Sequence, residues 1–175
     1  MMPRSLLLFL TFLAGCACQN PPASPAISSL PKIDSFQGQY RFLSNFYPTQ
    51  VEFEGLNYPD VEHAYQSAKT LDMNQRRRIA ALPTPAEAKH AGEALPLRPD
   101  WPNIKFDVME QCVRYKFTHH PVLAQRLLDT GNAYLEEGNT WHDRIWGVYE
   151  GQGENHLGII LMKVRGEIEN ASGAR

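Results

Sequence analysis

Apolar residues recur at helical spacing from Ile104 to Thr118. Phe106, Met109, Val113 and Phe117 share one face there and predict the longest helix of the chain. Ser35 to Tyr40 alternates loosely and predicts a strand. Gln50 to Gly55 alternates and ends on glycine, as an antiparallel strand does. Pro59-Asp60 opens a helix that the pattern carries to about Asp72, with Asp60 as N-cap. Short helices follow over Asn74 to Ala81 and, capped by Thr84, over Ala86 to Ala94; Pro96 to Pro102 form a loop. Pro121 starts a helix over Val122 to Asp129, and Leu157 to Glu169 forms the last one. Between these, Tyr134-Leu135-Glu136 and Ile145 to Tyr149 predict strands, and Gly151 to Asn155 a glycine-containing loop. Strands and helices do not alternate as βαβ units. The expected class is therefore α+β, a mostly helical single domain with a small antiparallel sheet.

The N-terminus follows another pattern. Arg4 precedes the apolar run Leu6 to Leu13, which is too short to span a membrane and has the layout of a secretory signal. It ends in Leu13-Ala14-Gly15-Cys16, a string that resembles a bacterial lipobox with Cys16 as the lipid attachment point. A Pro-, Ser- and Ala-rich stretch follows, like a lipoprotein tether. This divides the chain into a signal-like segment (1–16), a tether (17–33), a domain (34–170) and a tail (171–175). The alternative reading of residues 1–33 is a start site set too early, with a domain that begins near Ile33. The signal reads as an envelope lipoprotein.

Composition narrows the chemistry. The chain has 175 residues, 43% hydrophobic, and its net charge of -2 comes from interspersed acids and bases, which excludes a broad nucleic-acid stripe. Of three cysteines, Cys16, Cys18 and Cys112, none forms a metal-type pair, and Cys112 sits in a helical pattern as a small apolar residue. GxxxxGK[ST], HExxH and GxSxG motifs are absent. No metal or cofactor is expected. The pair His119-His120 reads as a helix-end feature, and Arg76-Arg77-Arg78 as a solvated helix face.

Three segments carry candidate chemistry. At about 100° per residue, Glu62, Gln66 and Lys69 fall within roughly 60° of one another, with Ala64, Ala68 and Leu71 opposite. By itself this stripe fits either a solvated face or an acid and an amine aimed at a substrate. In Trp141 to Gly147, Asp143 lies between two tryptophans that can stack on a base or sugar, as the acid binds a hydroxyl. Gly151 to Gly158 is a glycine loop entering a helix, suited to phosphate or to simple capping by Asn155.

Together these segments resemble the NADAR domain, the YbiA-like N-glycosidases. The matching features are Phe42-Leu43-Ser44-Asn45-Phe46, Glu62-His63-x-x-Gln66-x-x-Lys69, Trp101, Glu137-Gly138-Asn139-Thr140-Trp141-x-Asp143-x-x-Trp146-Gly147, and Gly153-x-Asn155-x-Leu157-Gly158-x-x-Leu161-Met162-x-x-Arg165. Order and spacing agree from about Asp34 to Glu169. The resemblance implies hydrolysis of a C1–N bond between ribose and a base. Its substrate would be a phosphoribosyl-aminopyrimidine intermediate of riboflavin synthesis or ADP-ribosyl-guanine, small or on nucleic acid, with no obligate protein partner. It also implies a cytosolic setting, at odds with the signal-like start. Glu62 and Lys69 would be catalytic. Asn45, Phe46, Gln66, Trp101, Asp143, Trp146, Gly153 and Asn155 would bind substrate, and Arg41 and Arg98 are further candidates for phosphate. At the first turn of its helix, Glu62 is expected to be ionised. The alternatives are a non-catalytic ADP-ribose or nucleotide-binding module, and an exported NAD-related effector.

Overall fold

The computed structural model describes residues 31–173. The signal-like segment with Cys16, and Cys18 in the tether, lie outside the described residues. Helices dominate, and three two-stranded ladders join them. β1 (Lys32–Ile33) pairs in parallel with β4 (Tyr134–Leu135), β2 (Val51–Phe53) pairs antiparallel with β3 (Leu56–Tyr58), and β5 (Gly138–Asn139) pairs in parallel with β6 (Val148–Tyr149). The class is α+β as expected, but among the described residues only the β2–β3 ladder is antiparallel. The folded unit also begins before residue 34, because Lys32 and Ile33 are already in a ladder.

Ser35 to Tyr40 forms no strand. A 3-10 helix over Gly38–Leu43 occupies the region and buries Phe42 and Leu43. The helices proper are α1 (Val61–Ser67), α2 (Met73–Ala80), α3 (Pro85–Glu93), α4 (Trp101–His119), α5 (Pro121–Leu128) and α6 (His156–Gly173). Asp60 caps α1 by accepting from His63 N, Asp72 caps α2, and Thr84 caps α3 by accepting from Glu87 N. α1 ends at Ser67, short of Asp72, and Lys69 lies in the turn beyond it. There Lys69 N bonds to Gln66 O and Thr70 N to Ser67 O, the tighter spacing of a 3-10 turn, while Ser67 Oγ donates back to Ala64 O.

Every residue of α1 is buried. It packs against α2, α3 and α4, so its polar stripe faces protein and a cavity, not bulk water. The core gathers around α4 (Val108, Met109, Cys112, Val113, Phe117), α6 (Leu157, Ile160, Leu161, Val164) and α1 (Val61, Ala64, Tyr65). Arg76 is buried too, donating Nε to Thr70 O and pairing with Glu54, whereas Arg77 and Arg78 are exposed as expected. Among the described residues no helix is long and apolar enough to cross a membrane.

Candidate active site

A cavity of about 680 Å³ opens over α1, within the range of small-molecule sites. Four parts of the chain wall it. α1 and its following turn bring Glu62, Tyr65, Gln66 and Lys69. The 3-10 helix and the loop after it bring Arg41, Ser44, Asn45 and Phe46. α3 brings Lys89 and Glu93, and the β5–β6 region brings Glu137, Trp141, Asp143 and Trp146.

Each wall is held from behind. Glu62 N donates to Asn45 O at 3.3 Å, tying the 44–46 loop to the start of α1. Asn45 Nδ2 donates to Met109 Sδ at 3.3 Å, and the fully buried Lys116 donates Nζ to Ser44 O at 2.9 Å. Parallel pairing of β5 with β6 requires the chain to loop out between them. Asn139 shapes that loop, accepting from Asp143 N at 3.1 Å and donating to Asp143 O at 2.7 Å. Asp143 Oδ1 in turn accepts from Ile145 N and Trp146 N, both at 2.9 Å. These turn contacts stop the expected strand over 145–149 from starting before Val148.

The electrostatics follow from burial. Glu62 is 6% exposed, and desolvation raises its pKa against the pull of the Gln66 hydrogen bond and the Lys89 and Lys69 charges. The helix-dipole lowering expected for Glu62 is thus outweighed by desolvation, because α1 is packed between other helices and the cavity. Gln66 Nε2 donates to Glu62 Oε1 at 2.8 Å. The Lys69 pKa is lowered, also by desolvation, in spite of Glu62 and Glu93. Its Nζ makes one long contact, 3.5 Å to Gly92 O, and lies 5.8 Å from the centre of the Tyr65 ring. Glu137, half-buried on the cavity wall, is pushed up to about 7 by desolvation and then by Asp143 and Glu62.

The cavity brings together Glu62, Lys69, Asn45, Phe46, Gln66, Asp143 and Trp146, and also Arg41. Three expected residues are not on its wall. Trp101 is 5% exposed and packs on Tyr65 from the far side, its ring 5.2 Å away. Gly153 lies against the Gly147 backbone, where a Cβ would collide with the carbonyl. Asn155, 2% exposed, accepts from Glu137 N at 3.1 Å and donates to Leu135 O at 2.9 Å. The glycine loop is therefore architecture behind the wall. Arg98 pairs with Asp100 instead of reaching the cavity. Glu137, Lys89, Glu93 and Tyr65 received no role from the sequence. Glu137 opens the Glu137-Gly138-Asn139 string, which was the one available signal; Lys89 and Glu93 sit on an ordinary polar helix face and gave none.

Comparison with known proteins agrees over nearly the whole domain. The NADAR domain model matches residues 34–169. The N-glycosidase YbiA of Escherichia coli K12 is 35% identical over 137 residues, 77% of this chain and 85% of YbiA. A riboflavin biosynthesis protein of Vibrio vulnificus is 37% identical over 131 residues, and the match spans 35% of its length. An N-glycosidase of Nostoc punctiforme is 36% identical over 137 residues, 87% of its length. The NMR structure of the E. coli protein YbiA superposes with a TM-score of 0.74 at 32% identity, covering 83% of this chain and 90% of that one.

Proposed function

The chain belongs to the NADAR domain family, and on that premise we propose that its cavity is the active site of an N-glycosidase, a hydrolase that cuts the C1–N bond between ribose and a base. The observation that carries this reading is the placement of the Glu62 carboxyl and the Lys69 amine on one wall of the cavity, beside the rings of Tyr65 and Trp146. A pure binding module has no use for an acid set beside an amine with lowered basicity.

Breaking a C1–N bond builds positive charge on the ribose. Glu62 faces that charge and takes the proton of the water that captures C1. A carboxylate whose pKa is raised by burial is a stronger base for this step than an exposed one. Lys69 is matched to nucleophilic attack on C1 of the opened sugar. The new C1–N bond to Lys69 forms as the base leaves, and water then releases the sugar aldehyde and the free amine. The basic groups at the rim, Arg41 and Lys89, suit the 5′-phosphate. The names of the riboflavin biosynthesis relatives favour a phosphoribosyl-aminopyrimidine as substrate.

A substrate screen tests the reading. Purified protein is offered phosphoribosyl-aminopyrimidines and ADP-ribosyl-guanine, free and on DNA, and the products are separated. Release of aminopyrimidine is expected. Release of guanine alone would move the substrate to ADP-ribosylated nucleic acid, and binding without release would leave a recognition module. Borohydride trapping of a sugar adduct on Lys69 tests the nucleophilic step. For the segment outside the described residues, the apolar run ending at Cys16 supports envelope anchoring. In vivo palmitate labelling that vanishes in Cys16→Ser is expected, and an unlabelled wild type would sink that idea.

A further inference from the structure

The geometry points to Glu137 as a second catalytic carboxyl, the general acid that protonates the departing base while Glu62 serves the sugar side. The inference rests on the N-glycosidase reading and deepens it. Of the three glutamates that line the cavity, Glu62 and Glu137 sit in unlike surroundings. Glu62 accepts a hydrogen bond from Gln66, and the lysines Lys89 of α3 and Lys69 of the turn after α1 both favour its charged form. The Glu137 carboxyl makes no hydrogen bond among the described residues. It faces Asp143 of the β5–β6 loop and Glu62 of α1, with Lys89 as its one cationic influence. Two acids and no donor favour the protonated form, and its elevation to about 7 follows the same causes. Its position is fixed from the backbone, where Glu137 N donates to Asn155 Oδ1 at 3.1 Å and Glu137 O accepts from Val148 N at 2.9 Å.

In the step, the C1–N bond breaks with its electron pair going to nitrogen. The proton passes from Glu137 to that nitrogen and leaves a carboxylate. The water that finally adds to C1 gives its proton to Glu62, and exchange through the cavity's water returns that proton to Glu137, so both carboxyls are reset and the free base and the sugar are the only products.

The test uses leaving groups that differ in their need for a proton. A pyridinium riboside phosphate departs as a neutral ring and needs none, whereas an aminopyrimidine or guanine does. Glu137→Gln is expected to cut kcat on the neutral-base substrate by roughly 100-fold or more, with at least a tenfold smaller loss on the pyridinium substrate. The decline of wild-type kcat/KM above about pH 7 should vanish in Glu137→Gln and return in Glu137→Asp. A Glu137→Gln protein within threefold of wild type on the neutral-base substrate overturns the assignment. So does an alkaline limb that survives in that variant. A wild type that releases no base from either substrate overturns the N-glycosidase reading itself, and this inference with it. Melting curves of both variants separate loss of fold from loss of acid.

Discussion

Gln66 donates Nε2 to Glu62 Oε1 at 2.8 Å, while its own Oε1 lies buried against Gly92 with no donor in reach among the described residues. The glycine on α3 is thus a site requirement, because a Cβ at Gly92 would also come within 2.8 Å of Gln66 Cβ and Cδ. Gly92→Ala must push the amide off Glu62. Without its donor, Glu62 ionises less readily. Gln66→Ala and Gly92→Ala should each lower kcat/KM by roughly tenfold, the worth of one hydrogen bond to a charged group. Because both act through the same contact, the double variant should be no worse than the worse single. Additive losses in steady-state kinetics would sever the link.

Lys69 separates charge from nucleophilicity. Its amine is desolvated and makes no ion pair among the described residues. Lowered basicity leaves more neutral amine at a given pH, and the neutral fraction grows as pH rises through its pKa. Lys69→Arg keeps the charge but cannot give a neutral nucleophile. It should lose activity as fully as Lys69→Ala, by roughly 100-fold or more, with no adduct trapped by borohydride. An arginine variant with near-wild-type turnover would reduce Lys69 to a phosphate contact.

Much of this site was legible because its residues come in short strings. Glu62, Gln66 and Lys69 share one helical stretch, and Asp143 and Trp146 one loop, so spacing alone grouped them. Environment was not legible. The helical period placed Glu62 and Lys69 on one face but could not say that α3 would pack beside that face, and burial then raised the Glu62 pKa where the helix dipole alone would lower it. The glycine loop misled for a related reason. A helix N-terminus after glycines looks the same whether its amides meet phosphate or, as with Asn155, the loop's side chain is drawn to neighbouring backbone. Strand ladders of two residues, such as β5–β6, leave almost no alternation to read.

Lys116 offers a stability prediction with a definite sign. It is fully buried on α4, donates to Ser44 O, and desolvation lowers its pKa to about 7 from the ordinary 10.5. As pH falls from about 10.5 to about 7, the unfolded chain gains a proton that the folded one resists, so stability is lost over that window and the deficit is constant below it. Lys116→Met fills the same space without a charge. It should raise Tm by roughly 5 °C at pH 6, with the gain shrinking toward pH 10. A gain that does not depend on pH would show that the ammonium is not the cause. The variant should also lower activity, since the Ser44 carbonyl behind the 44–46 loop loses its donor.

Asn155 is the remaining case in which architecture and substrate contact predict different results. Its backbone is left-handed, with φ of 53°, and its side chain ties Glu137 N to Leu135 O. Asn155→Ala loses these contacts and the one to Tyr134 OH, and puts into the left-handed region a residue without the polar side chain that lets asparagine tolerate it, a combined cost of about 2–4 kcal/mol. Asn155→Gly loses the same hydrogen bonds but adopts the backbone freely, so its Tm should fall less. Because the side chain holds the Glu137 backbone and is absent from the cavity wall, kcat should drop in both variants with KM nearly constant, measured below either Tm. A rise in KM confined to phosphorylated substrates, with Tm unchanged in Asn155→Gly, would restore the loop as a phosphate cradle.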